Sequence, residues 1–506
     1  MGGMTGIPDQ QGDNAVNGGN PMPYLLQGES GRMLALISSG IGLHAFNQFA
    51  IVAAMPLAAA ELGGRDWFSW VYSLYFIGSI AGGTTAASIR DRIGVRKSLW
   101  LASLLFGLGG LMAMLAPAFG FIVAGRLLQG LADGLIVAIC YSLIPANFSS
   151  LLIARVFAVE ATVWAVTALA GPLVGGLMAE GISWRASFLA VLPLLVTLAL
   201  FTALTTPKTG AGSGKAFGTG PGTGPGTGSG TGPGSGPGSG KSSKAASFPP
   251  VTIGLWVTSA FVLALSSTGR DWLFQGGALA VGLLVLVLAI VLDGRFGPAL
   301  FPSGTRRAGS VLGRGFLMLF LMSAGHSAGS TYLALLVREV FHLSPAIVGY
   351  IVVIMALTWS AVAMVASRSR STFWRHATMR IGPLFHCAGF AALATAIGMQ
   401  NLPLVIIGQM LIGAGFGLSW ANVNQAVMEA AGDDERDRAS ALLPTMSTAG
   451  YAVGAALSGT IAAASGLTAS LGAGSAGDTA TWLYGTAAAG ALISFILGFG
   501  MRLKPN

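Results

Sequence analysis

In the stretch "GRLLQGLADG", residues 125–134, an otherwise apolar run holds Arg126 and, seven positions later, Asp133. Seven residues are two helical turns, so both side chains share one face, with Gln129 and Gly130 between them. Glu160, in "VFAVEATVWAV", is a third ionisable group in apolar surroundings, and His44 and His326 stand in two further apolar runs. A carboxyl group can take up and release a proton, histidine is the side chain that changes charge near neutral pH, and an arginine beside them biases the exchange. On a membrane helix each such charge costs ~2.5–3.5 kcal/mol at the bilayer centre, so charges kept there have a task. This is chemistry of proton binding, not of bond making. There is no Gly-x-x-x-x-Gly-Lys stretch to cradle phosphates and no His/Cys cluster at metal-ligand spacing. The expectation is therefore neither an enzyme nor a holder of cofactor or metal.

The elements that must position these groups follow from composition. Of the 506 residues 53% are hydrophobic and 9% charged, against roughly 25% charged in soluble domains. Apolar runs of about 20 residues, the length that crosses a ~30 Å hydrocarbon core, recur along the chain. The fold class is all-α and polytopic, with fourteen hydrophobic spans between residues 33 and 503. A β-barrel is excluded, because it would show alternating segments of ~10 residues. Cys140 and Cys387 both fall in apolar runs and form no disulfide framework.

Basic residues orient the spans. Of the 27 Lys and Arg, Arg126 lies within the membrane and Arg65, Arg185, Arg270 and Arg338 fall on one side, leaving 22 on the side of the termini. The positive-inside rule then predicts both termini in the cytoplasm, in an inner or plasma membrane. The net charge of +9 reflects this bias and contact with anionic lipid, and no nucleic-acid partner is needed. Residues 1–32 read as a disordered cytoplasmic tail, 33–206 as a six-helix bundle and 207–250 as a Gly/Pro/Ser/Thr-rich linker. That linker cannot pack a core and has a root-mean-square span on the order of 36 Å. Residues 251–292 read as an inserted hairpin, 293–313 as a cytoplasmic loop, 314–503 as a second six-helix bundle and 504–506 as a tail.

The two bundles are repeats. At an offset of 283 residues Gly125, Gly130 and Gly134 fall on Gly408, Gly413 and Gly417, Arg92 on Arg375, Lys97 on Arg380, Gly171 on Gly454 and Gly176 on Gly459. Parallel six-helix repeats around a midplane site are a transporter design, in which one half rocks against the other. At the same offset Arg126, Asp133 and Glu160 fall on Gln409, Phe416 and Leu443, so the charged chemistry belongs to the first half.

Three motifs carry a family resemblance. "SIRDRIGVRKSL" supplies Asp91, Arg92, Gly94, Arg96 and Lys97; "RLLQGLADG" supplies Arg126, Gln129 and Gly130; "TALAGPLVGG" supplies Gly171, Pro172, Gly175 and Gly176. From about residue 33 to 503 the chain resembles the major facilitator superfamily, and within it the fourteen-helix drug:proton antiporters. The resemblance implies that the first set is a conformational latch between helix ends and that the third is the antiporter motif. Three positions depart from the family pattern. Ala87 stands at the loop signature's opening glycine, Thr167 at the antiporter motif's earlier glycine, and Asn47 where related exporters carry an acid.

Counted from the ends of their spans, Asp133 and Glu160 reach one depth on adjacent antiparallel helices, which predicts a proton-binding carboxyl pair with Arg126 above it. The competing reading is that Asp133 only neutralises Arg126. His44, Asn47, Gln129, His326, Trp420 and Asn422 are the candidates for a substrate cavity. The expected activity is proton-coupled export of small amphiphilic or drug-like molecules by alternating access, by a monomer in contact with membrane lipid, substrate and protons. An uptake carrier or lipid exporter on the same fold, and a non-transporting receptor or scaffold, are the alternatives.

Overall fold

A computed structural model describes residues 26–148, 150–205, 250–268, 271–296, 299–307, 309–366, 371–432, 435–467 and 473–501. The linker at 207–249, the terminal residues 504–506 and most of the N-terminal tail lie outside the described residues. Among the described residues there are thirteen α-helices and no strand. They are α1 Gly28–Glu61, α2 Trp70–Met114, α3 Phe119–Asn147, α4 Ser150–Gly181, α5 Leu192–Thr205, α6 Pro250–Leu265 and α7 Trp272–Val291, followed by α8 Val311–Phe341, α9 Pro345–Ala366, α10 Thr372–Gly398, α11 Leu402–Ala430, α12 Arg436–Ala464 and α13 Ala473–Gly498. Polar side chains set several starts: Asp271 accepts from Leu273 N at 3.2 Å, Ser310 from Gly313 N at 2.9 Å and Asn401 from Leu404 N at 3.1 Å.

α2 carries two of the expected spans. Its backbone breaks at Gly94 (φ 80°, ψ 160°), a left-handed conformation that glycine adopts without strain, and Ser98 Oγ caps the Gly94 carbonyl at 2.8 Å. Gly78 and Gly109 nevertheless both abut α3, at residues 127–131 and 125–129. The two arms of α2 therefore run back along the same helix. Eleven helices are long and apolar enough to cross a membrane, one of them the 50-residue segment Arg65–Met114. That segment, ~75 Å if straight, is more than twice the hydrocarbon thickness. α6 is a shorter apolar helix, and α12, diluted by Gly, Ser and Thr, falls outside the eleven.

Packing is by bare backbone, as expected where lipid removes the hydrophobic drive between helices. A Cβ on Gly130 would stand 2.0 Å from the Tyr75 carbonyl oxygen, and one on its repeat mate Gly413 2.2 Å from that of Met355. Gly130→Leu should therefore prevent assembly, costing more than the ~1–3 kcal/mol of ordinary overpacking because the atom it meets is backbone. Gly277, with nothing within 4 Å, is the control. Yield of monodisperse protein in detergent should collapse for Gly130→Leu and stay near normal for Gly277→Leu.

The halves meet along two seams related by the repeat, α4 on α9 and α2 on α12. Both lie at the end of the bundle that carries the α1–α2 and α8–α9 connections. At the first seam Gly176 abuts Ala346, Pro172 abuts Gly349, and Glu180 Oε1 accepts from Ala346 N at 3.1 Å. At the second, Gly459 abuts Ser69 and the rings of Phe76 and Tyr451 lie 5.3 Å apart. One apolar core spans both halves at this end. From the first half it takes only residues of the connection end, between 51 and 80, 113 and 123, and 179 and 188, while the first-half residues toward the Gly94 end belong to a separate core drawn wholly from residues 34–198. The bundle is thus closed at the connection end and parted at the Gly94 end.

The hairpin α6–α7 packs on both halves, with α6 against α12 and α2. Phe301, just beyond α7, packs on Phe316 of α8 at 6.3 Å, Ser303 donates from N and Oγ to Glu435, and Ser266 hydrogen-bonds Thr460 of α12. On the first-half side Phe261 meets Trp70 edge-on at 5.7 Å, and at the tip Ser267 Oγ accepts from Trp70 Nε1 at 2.9 Å and from Ser69 Oγ at 3.4 Å.

Candidate functional site

α1 passes antiparallel to α3 and brings one residue to each of its buried charges. Asn47 Oδ1 accepts from Arg126 Nη1 at 3.4 Å. One turn away, His44 Nδ1 lies 2.9 and 2.8 Å from the two carboxylate oxygens of Asp133. Asp133 is 1% exposed and Arg126 3%. Arg126 also donates to Gln129 Oε1 at 3.1 Å, and its guanidinium lies 4.0 Å over the Tyr75 ring. Behind His44 stand Trp164, edge-on at 5.6 Å, and Gln48, whose amide nitrogen is 3.1 Å from His44 Nε2.

The expected carboxyl pair and the competing reading of Asp133 both meet a different geometry here. Among the described residues no ion pair joins Arg126 to Asp133; the partner of Asp133 is His44. Seven residues separate the two by ~10 Å along the axis, and the imidazole fills the space at the carboxylate. Nor do Asp133 and Glu160 form a pair. Glu160, 2% exposed, accepts from Ser38 Oγ at 2.7 Å, and among the described residues its buried Oε2 has no partner. Ser38 and His44 are six residues apart on α1, so the two carboxyls meet that helix ~9 Å apart.

The antiporter-like motif has two faces. Gly171 and Gly175 press on Phe49 and Ala50 of α1, while Pro172 and Gly176 press on α9 across the seam. One turn and a half of α4 therefore joins the helix that carries His44 to the opposite half. At the Gly94 end Asp91 pairs with its neighbour Arg90 at 3.2 Å, and Arg90 reaches Ser142 of α3 at 3.2 Å. Arg92 and Lys97 are exposed and Arg96 is half-buried. In this parted state the Asp91 contact lies within the first half.

The family model of the Major Facilitator Superfamily matches residues 37–455 and again residues 315–506. The chain belongs to the major facilitator superfamily. A probable multidrug-efflux transporter of Mycobacterium tuberculosis is 29% identical over 436 residues, covering 84% of this chain and 86% of that protein. Multidrug resistance protein 3 of Bacillus subtilis is 27% identical over 156 residues, 31% of this chain and 30% of that one. Among solved structures a D-xylose-proton symporter aligns with a TM-score of 0.61 at 16% identity, over 93% of this chain and 99% of that one. A peptide transporter aligns with 0.61, also at 16% identity, over 93% and 96%. At those identities the structures show a shared fold. The chain is a multi-pass membrane transporter of this superfamily.

In this major facilitator chain the second half has no counterpart of the charged site. Phe416, repeat mate of Asp133, is the centre of an aromatic cluster. Trp359 stacks on it at 4.9 Å, Trp420 meets it at 5.5 Å, His326 at 5.6 Å and His386 at 4.4 Å. Two candidates thus join one cluster, and His326 reaches on to Tyr451 at 6.0 Å. Asn422 is taken up elsewhere: its Oδ1 accepts from Arg375 Nε at 3.3 Å and its amide donates to Thr378 at 2.9 Å, tying α11 to α10. Among the described residues no group of three or more potential metal ligands occurs. Gln48, Trp164, Ser38 and Phe416 join the site without having been singled out by sequence. Gln48 had a signal, since it stands four residues after His44 on the same helical face.

Proposed function

We propose that this transporter exchanges protons for small amphiphilic molecules, exporting the latter, and that the His44–Asp133 dyad is its proton site. The observation that carries the reading is the dyad itself: an imidazole in contact with a buried carboxylate, in the bundle that among the described residues supplies the buried Arg, Asp and Glu side chains of the two repeats. Without a transported proton the dyad has net charge −1, and with one it is neutral overall. A proton thus removes the cost of burying a net charge, which biases the equilibrium between two states of the bundle. Glu160, whose Oε2 has no partner among the described residues, is the second acceptor, on the path between the dyad and the Gly94 end. The aromatic cluster around Phe416 supplies the apolar wall for the exported molecule. The names of the mycobacterial and Bacillus relatives support export of drug-like compounds.

The test uses full-length protein in liposomes with ethidium as probe and an imposed pH gradient. Ethidium should move against its gradient, in the direction opposite to protons, and the movement should stop when an ionophore collapses the gradient. Movement of ethidium with protons would make the chain an uptake carrier. No movement, with or without a gradient, would leave a receptor or scaffold as the better account.

The topology proposal places both termini and the Gly94 end in the cytoplasm, in a plasma or inner membrane, with the protein acting as a monomer. In intact cells an impermeant maleimide should label Asp271→Cys at the hairpin tip and fail to label Ser371→Cys. The reverse pattern would invert the orientation.

A further inference from the structure

We infer that Gln48 converts the proton load of the dyad into the hydrogen-bonding character of the cavity wall, and so selects substrates whose N–H groups donate without accepting. The inference rests on the proposed proton role of His44 and Asp133. Its geometric basis is a three-residue line: Asp133 on one side of the imidazole and Gln48 on the other, 3.1 Å from Nε2.

Consider where the proton can sit. Without a transported proton Asp133 is a carboxylate, His44 donates to it from Nδ1–H, and Nε2 is a lone pair that can only accept. Gln48 must then turn its amide N–H to His44, which leaves its carbonyl oxygen free. Add one proton and two arrangements arise: imidazolium facing carboxylate, or neutral Nε2–H imidazole facing a carboxyl group. Both put a hydrogen on Nε2. Gln48 must then accept through Oε1, and its two N–H donors turn away. The orientation of this amide therefore follows the proton load one to one. The structure has the amide nitrogen toward Nε2, the unloaded arrangement.

The released end of the amide faces interior space. From Ile41 to Ala54, α1 is buried except for His44, Gln48, Phe49 and Val52. His44, Gln48 and Val52 recur every four residues and form one stripe. α1 packs against α3, α4 and α5 of its own half and against α8 and α9 of the other. A stripe left half-exposed on a helix so enclosed borders the cavity between the halves. Besides Asp133, the ionisable side chains described on the enclosing elements are Arg126, Cys140 and Tyr141 on α3, Glu160 and Glu180 on α4, Arg314, His326, Tyr332, Arg338 and Glu339 on α8, and Tyr350 on α9, with Tyr72 and Tyr75 on the neighbouring α2. Among the described residues Asp133 is the one ionisable group within hydrogen-bond distance of a His44 ring nitrogen.

Unloaded, the wall offers an acceptor; loaded, it offers donors. A substrate bearing a group that donates without accepting, an ammonium or an arylamine, is held by the first and repelled by the second, whereas a hydroxyl can pair with either. Proton and substrate then exclude each other through one side chain, and a cation without donors feels only the change in charge.

The experiment has a ligand-free arm and a ligand arm, both on full-length protein in nanodiscs. Infrared difference spectra between alkaline and acid conditions should contain a side-chain amide band that shifts on isotopic labelling of glutamine and is absent in Gln48→Met. In the ligand arm, the binding of ethidium, which carries two amino groups, should weaken more on acidification than that of tetraphenylphosphonium, which has no donor. Gln48→Met should reduce the acid sensitivity of ethidium to that of tetraphenylphosphonium. Absence of a glutamine band in a spectrum that does contain bands lost in Asp133→Asn would overturn the relay while leaving the dyad standing. A spectrum with no Asp133-dependent band overturns the dyad itself. Equal acid sensitivity of the two dyes in the unsubstituted protein also refutes the inference, and if neither dye binds the infrared arm decides alone.

Discussion

Asp133→Asn should end gradient-driven transport while leaving exchange of labelled for unlabelled ethidium across the membrane intact. Exchange needs only substrate binding and rocking, whereas gradient-driven transport needs a group that changes charge, and an amide cannot. The variant should also keep most of its abundance. Breaking a buried ion pair costs ~3–5 kcal/mol when a charge is stranded, but a neutral His44 that donates from Nδ1 finds an acceptor in the Asn carbonyl. His44→Gln should show the same separation of the two activities, because it removes the other half of the dyad. The contact geometry also decides the double substitution Arg126→Gln with Asp133→Asn. If Asp133 served only to balance Arg126, removing both charges would restore transport. With Asp133 held by His44 at 2.8 Å and Arg126 bonded to Asn47 and Gln129, no restoration is expected. Recovery in the double variant would return the proton role to Glu160.

The residues that were legible in sequence were those whose meaning is local or periodic. Hydropathy placed the helices, and the offset of 283 residues matched glycines that in the structure make equivalent contacts, Gly130 on α2 and Gly413 on α9. Contacts between distant helices were not legible. The partner of Asp133 lies 89 residues away, and nothing in the spacing within α3 points to it. Depth counted from span ends fails for Asp133 and Glu160 because the helices differ in length and overhang, α3 having 29 residues and α4 having 32. The repeat offset also slips in the first helix. Gly171 abuts Phe49, but its mate Gly454 abuts Ala324, a separation along the chain of 275, not 283. His44 and His326, nearly one offset apart in sequence, are therefore not equivalent in space: one meets a carboxylate and the other an aromatic cluster. Loop and linker lengths can vary between repeats without disturbing the packing within each helix pair, so register between non-adjacent helices is set only by the folded contacts.

Oxidising the pair Ser69→Cys and Ser267→Cys should stop transport, and reduction should restore it, whereas oxidising Ser266→Cys with Thr460→Cys should leave transport running. Both tests belong in a background with Cys140 and Cys387 replaced by serine. The two pairs involve adjacent hairpin residues at one end of the bundle, but they join the hairpin to different halves. The hairpin is tied to the second half by Ser266 on Thr460, and the loop after it by Phe301 on Phe316 and Ser303 on Glu435. Toward the first half it has the Ser267 contacts with Trp70 and Ser69 and the ring of Phe261 against Trp70 at the closed end. Opening that end moves Ser69 away from Gly459 and, if the hairpin travels with α12, away from Ser267 as well. A covalent bond there holds the closed end shut, while a bond from Ser266 to Thr460 joins parts that move together. A protease site placed in the 207–249 linker reads formation of the first bond, because the two fragments stay together until reduced. If that bond forms and transport continues, the hairpin does not follow the second half. If the Ser266–Thr460 bond stops transport instead, the hairpin travels with the first half and the second seam, α2 on α12, opens between α12 and the hairpin.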